Sequence, residues 1–143
     1  MRRTIIYVLL SVLFVPLCLS CSDDEANEPI RFNLPQNFSI KVPDESVYII
    51  KDIETFNDFF GEEKAVLETV DFKKYDLVYI QGTSSYGIED ISVQWNIDVK
   101  PYSLSIKVKN NYTTAYCVWS IAYLLEKGDK NYTVDTDISY IKK

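Results

Sequence analysis

Thr114-Ala-Tyr-Cys-Val-Trp-Ser-Ile-Ala-Tyr-Leu-Leu-Glu126 is the stretch on which the fold turns. Side chains alternate between the two faces of a β-strand, so an apolar residue at every second position marks a half-buried strand. Here both alternating sets are largely apolar: Tyr116, Val118, Ala122 and Leu124 on one side, and Ala115, Cys117, Trp119, Ile121 and Tyr123 on the other. A strand of this kind is central and covered on both faces. Upstream, Leu77 to Gln81, Ile88 to Val99 and Tyr102 to Lys109 read as further strands, and Tyr132 to Ile141 follows downstream. Turn signals separate them at Gly82-Thr-Ser-Ser-Tyr-Gly87, Lys100-Pro101, Asn110-Asn111 and Gly128-Asp129, with the spacing of antiparallel hairpins.

Nearer the N-terminus, Phe38 to Val42 alternates as a strand should, and Ser46 to Ile50 is a second apolar run after the Pro43-Asp44 turn signal. Asp52 can cap a helix that places Ile53, Phe56, Phe59 and Phe60 on one face, and Gly61 stands where a helix commonly ends. The expected fold is therefore α+β, an antiparallel sheet of five to six strands carrying one principal helix.

The start of the chain has a different character. Arg2 and Arg3 precede an apolar run from Thr4 to Leu19 that ends at Ser20-Cys21. This is the layout of a secretory signal, too short and too near a proline to read as a membrane span. Leu17-Cys-Leu-Ser-Cys21 resembles the lipobox of bacterial lipoproteins, which implies cleavage after residue 20 and acylation of Cys21, with a Cys at 18 where Leu is usual. Two or three acyl chains give stable membrane attachment where one is marginal. Ser22-Asp23-Asp24-Glu25 resembles the acidic surface-export tag of lipoproteins from Gram-negative gut anaerobes, which implies the outer face of the outer membrane; the periplasmic face is the alternative. The organisation expected is a signal peptide at 1–20, an acidic tether at 21–35 containing Pro29 and Pro35, and one globular domain at 36–143.

Composition narrows the function. Of 143 residues, 20 leave with the signal and 123 remain, enough for one domain. Hydrophobic residues make up 47% and aromatics 14%, so the mature chain folds. Its net charge moves from −6 to −8 when Arg2 and Arg3 are lost, and its longest basic runs are the pairs Lys73-Lys74 and Lys142-Lys143, which argues against nucleic acid and anionic lipid as partners. There is no histidine, which excludes His-based triads, proton shuttles and His metal sites. Cys18 leaves with the signal and Cys21 is acylated, so Cys117 is left without a disulfide partner.

No catalytic constellation, metal site or cofactor is expected. Gly82 to Gly87 has its glycines too far apart for a nucleophile elbow and lacks a base. Asp129, Asn131, Thr133, Asp135 and Asp137 echo a calcium loop, but Val134 replaces the turn glycine and Tyr140 the bidentate Glu, so the spacing is that of a strand with polar residues outward. The pairs Glu62-Glu63 and Glu89-Asp90 read as solvated, and the Asn-x-Ser/Thr patterns at Asn37, Asn111 and Asn131 as turns. Eleven tyrosines and two tryptophans exceed what a core needs. Of these, Tyr86 in a loop and Trp95 between Gln94 and Asn96 are the candidates for a binding face.

The order of strand, Asp-capped helix, Val70-Asp-Phe-Lys-Lys-Tyr-Asp-Leu-Val-Tyr-Ile80, glycine-containing loop and further strands resembles the C-terminal domain of protease-complex (PrcB-like) lipoproteins over Val47 to Lys143. The likeness rests on Asp71-Phe72 leading into Leu77 to Ile80, and on Gly82 through Ile88 followed by an alternating strand. The resemblance implies an accessory, protein-binding role near a surface protease and brings no catalytic residues. A carbohydrate ligand is the alternative.

Overall fold

A computed structural model describes residues 28–128 and 131–142; the signal stretch, Cys21 and the run Ser22 to Glu25 lie outside them. Among the described residues, seven strands, β1 (Ile30–Phe32), β2 (Val47–Ile50), β3 (Tyr75–Ser84), β4 (Ile88–Asn96), β5 (Tyr102–Asn110), β6 (Cys117–Glu126) and β7 (Val134–Lys142), accompany one helix, α1 (Ile53–Phe60), which runs on as a 3-10 segment over Gly61–Val66. The class is α+β, as the sequence pattern implies.

Both faces of β6 are covered, by different layers. In the first sheet, of order β1-β6-β3-β2, β6 pairs along its whole length with β3, from Tyr75↔Glu126 to Ser84↔Cys117. Ala122 of β6 joins Leu77 and Tyr79 of β3 against Phe56 and Phe60 of α1 and the buried Phe38. Trp119, Ile121 and Tyr123 face the other way and meet Leu104, Ile106 and Val108 of β5 in the second sheet, of order β4-β5-β7. The arrangement is three layers, with helix and loops, a four-stranded sheet, and a three-stranded sheet whose outer face is polar.

This corrects the single sheet of five to six strands. An eight-residue helix can cover only one face of so apolar a pair as β3 and β6, so the remaining strands separate to cover the other. Several connections read as hairpins are accordingly changes of sheet. Of those turn signals, Lys100-Pro101 alone closes a hairpin, between β4 and β5. Those after β3, β5 and β6 carry the chain across the core, which is why β5 and β7 lie side by side in parallel, from Tyr102↔Val134 to Asn110↔Lys142.

Three local differences shape the edge of the first sheet and the packing of its helix. Ile30–Phe32, placed by sequence within the 21–35 tether, is the edge strand β1, paired with β6 from Ile30↔Leu124 to Phe32↔Ala122. Pro29 and Pro35 stand outside it and cost it no ladder bond, and burial of Phe32 holds it in place. Phe38 to Val42 alternates but forms no strand, because the carboxamide of Gln81 takes the place of a neighbouring strand. Its Nε2 donates to the carbonyls of Ile40 and Val42, both at 3.1 Å, and its Oε1 accepts from the Ile40 amide at 3.1 Å. In α1, Asp52 caps as expected, accepting from the Thr55 amide at 2.7 Å, and Gly61 takes the left-handed φ of 54° at the other end. Ile53, however, is exposed, and the buried stripe consists of Phe56 and Phe60, with Phe59 packed on Tyr48 at 4.9 Å.

Candidate functional site: a groove between two edge strands

The two sheets are stacked so that β1, the edge of one, and β4, the edge of the other, border an open groove into the core. Its two halves differ. The half nearer the start of β6 is a cleft of about 410 Å³ between Cys117 to Ile121, the chain at 31–37, and Ile88 and Ile91 of β4. Toward the end of β4 lies a wider opening of about 700 Å³, bordered by Glu28, Pro29, Val93, Trp95, Asp98 and Tyr123. Apolar residues at alternate positions of β4, Ile91, Val93 and Trp95, point inward to form one wall.

Trp95 belongs to this groove. Its ring meets that of Tyr123 edge-on at 5.5 Å, and its indole N–H is buried with no hydrogen-bond partner among the described residues. A buried donor of this kind lowers its free energy when an acceptor reaches it. Burial raises the pKa of the Tyr123 hydroxyl, and the positive charge of Arg31 on β1 partly opposes that shift.

Tyr86 does not share the site. It stands just before β4, while Trp95 is at its far end, a separation of roughly 25 Å at ~3.3 Å per residue. Tyr86 lies at the opposite pole, half-buried beneath Lys142, whose ammonium is 4.8 Å from the ring centre and 3.4 Å from the hydroxyl. Tyr112 and Tyr116 are exposed, 80% and 75%, in the nearby connection between β5 and β6.

The other sequence candidates settle into structural places. Gly82 lies within β3, where a Cβ would come 2.4 Å from the Trp119 ring, and Gly87 lies where a Cβ would meet the Asn111 side chain at the same distance. Asp135 and Asp137 alternate along β7, as a strand requires. With Gln94, Asn96, Ser103 and Ser105 they form a shallow polar face of about 450 Å³ outside the second sheet. Glu89 pairs with Lys109 at 3.0 Å on the surface. Cys117 is half-buried and free. Among the described residues no group of three or more Cys, Asp or Glu converges to hold a metal ion, and no helix is long and apolar enough to cross a membrane.

A buried carboxylate that the sequence pattern does not single out lies between the sheets. Asp76, 5% exposed, accepts from the Tyr132 hydroxyl at 3.0 Å, and Lys127 stands 3.4 Å from its other oxygen while donating to the Lys51 carbonyl at 2.7 Å. Burial, then the neighbouring charge of Asp76, hold the Tyr132 hydroxyl protonated far above the ordinary tyrosine range. The cluster joins the chain before β7 to β3 and acts as a fastening between sheets. Its only signal in the sequence is an acidic residue next to the inward set of an otherwise apolar strand.

Arg31, Ile88 and Ile91 of the groove are likewise not singled out by the sequence. Alternation marks the inward face of β4, but which strand becomes an edge depends on the topology. Family models, curated proteins and solved structures were compared with the chain, and none matches.

Proposed function

We propose that this chain is a lipid-anchored, non-enzymatic module that binds a protein partner at the outer membrane, held there through Cys21 and facing the cell exterior. The observation that carries the binding role is the groove between β1 and β4, an opening of mixed polar and apolar lining flanked by two strand edges. Exposed strand edges pair readily with added chain. The sequence resemblance to protease-complex lipoproteins makes a surface protease the first partner to test. The absence of histidine supports a role without catalysis of its own. A sugar ligand calls for an exposed aromatic platform beside converging polar groups. The polar face outside the second sheet supplies the groups, but Trp95 beside it is turned inward against Tyr123.

Crosslinking on intact cells followed by pull-down tests the reading. We expect one stoichiometric protein whose capture falls with Trp95→Ala and holds with Tyr86→Ala; a glycan array that binds the chain while no protein is captured refutes it. Labelling with a fatty-acid analogue is expected to disappear in Cys21→Ala, and protease added to intact cells should remove the domain unless Asp23, Asp24 and Glu25 are replaced by Ala.

A further inference from the structure

β1 stops one strand-half short. Phe32 pairs with Ala122, yet β6 continues to Cys117, paired with β3 throughout. On the β1 side the chain turns outward at 33–37, with Asn37 in the left-handed region at φ 57°, and returns only at Phe38, whose carbonyl accepts the Ser120 hydroxyl at 2.7 Å. Among the described residues, Cys117 to Ile121 therefore has a strand neighbour on one side only. Five residues of antiparallel strand span about 17 Å. The 410 Å³ cleft occupies this interval.

Resting on the protein-binding reading above, we infer that this cleft receives an extended segment of the partner, which adds as a strand to the free edge of β6 in line with β1, carrying β-branched residues at alternate positions and a carboxylate at its start, against Arg31. The register follows from β1. The residue of the added strand opposite Ile121 is the first on the face of Arg31 and carries the carboxylate, and those opposite Trp119 and Cys117 point between the sheets toward Ile91 and Ile88, where medium-sized apolar groups fit. Those opposite Ser120 and Val118 point to the other face, where a threonine suffices. Main-chain bonds to β6 supply affinity, and the alternating pockets supply selectivity.

The charge preference comes from the lining. Among the described residues, Arg31 is the one charged side chain bordering this cleft. It is exposed and forms no ion pair among the described residues, in a chain whose net charge is −6. Arg31 pairs with Tyr123, one step before Phe32, so its side chain is on the inter-sheet face at the end where an antiparallel addition begins. A carboxylate there gains the guanidinium as partner, whereas a lysine there is repelled.

The test uses the full chain and two fluorescent pentapeptides, acetyl-Asp-Thr-Val-Thr-Val-amide and its counterpart beginning with Lys. We expect the acidic peptide to bind about tenfold more tightly, and Arg31→Glu, a surface change that leaves the core intact, to reverse the order. Bound peptide should also slow alkylation of Cys117 and protect the amides of Cys117 to Ile121 from hydrogen exchange. Equal binding of both peptides, indifference to Arg31→Glu, or protection elsewhere overturns the inference. Cell-surface capture of a protein partner that depends on Trp95 but not on Arg31 overturns the strand-addition site alone. Failure of both peptides together with failure to capture any protein overturns the binding reading as well.

Discussion

Replacing Gln81 by Leu removes a side chain that substitutes for a whole β-strand. Gln81 is 4% exposed, and its carboxamide serves the Ile40 amide, the Ile40 and Val42 carbonyls and the Tyr79 hydroxyl, the last at 2.9 Å. A leucine of similar size fills the space but leaves those groups without partners. Buried groups left unpaired cost ~1–3 kcal/mol each, and water reaches the partly buried segment at 38–42, so the lower end applies to three of the four. The three contribute about 3 kcal/mol and the buried Tyr79 hydroxyl ~1–3 kcal/mol more, an expected loss of about 4–6 kcal/mol. For a domain of this size that corresponds to a fall in melting temperature of roughly 15–25 °C. Urea and thermal unfolding measure it, and hydrogen exchange at Ile40 locates it, since that amide should lose its protection. Gln81→Glu separates hydrogen bonding from volume. A carboxylate there still accepts from Ile40 and Tyr79 but faces two carbonyls and Asp44, so its folded pKa is raised. Its stability should therefore be greater below the usual carboxylate range and fall as pH rises through it. A loss under ~1 kcal/mol in Gln81→Leu, with the Ile40 amide as protected as before, refutes the reasoning.

Gly82→Ala should destabilise by about 1–3 kcal/mol in urea titration, because the new methyl meets the Trp119 ring at 2.4 Å and overpacks two paired strands. Burial raises the hydroxyls of Tyr79 and Tyr140 from 10.0 to about 12, and in unfolded chain they ionise near 10. Their contribution is thus complete below pH 10 and is lost as pH rises through 12, so circular dichroism should show alkaline unfolding in that window, accompanied by a cooperative rise in tyrosinate absorbance. Asp52 has its pKa lowered below 3.8, chiefly by the Thr55 amide, so its cap is intact through neutral pH and fails only as pH falls below the ordinary aspartate range. Asp52→Ala should flatten the acid limb of a stability–pH profile while leaving the alkaline limb unchanged.

Much of the scaffold was legible because it is written in local periodicity. The double apolar pattern of β6 identifies a strand covered on both faces, and Asp52 and Gly61 bracket α1 because capping depends on a few adjacent residues. What covers the second face of β6 is not a local property, and the division into two sheets depends on which connections cross the core. Phe38 to Val42 shows how a period of two can mislead, since Gln81, about forty residues away, satisfies its backbone. The groove was legible only through Trp95. Arg31 stood in a stretch that reads as tether, and its place beside Tyr123 follows from a pairing across most of the chain.

That pairing has a kinetic consequence. Ile30 meets Leu124, and β5 meets β7 only after β6 has been laid into the opposite sheet. Loop-closure entropy must therefore be overcome over nearly the full length before the first and last elements reward it, which places this topology among the slower folders, on the order of milliseconds to seconds. A chain shortened before β6 lacks the strand that both β1 and β3 require, so truncated or partly synthesised products stay unfolded and open to proteolysis until the final strands emerge.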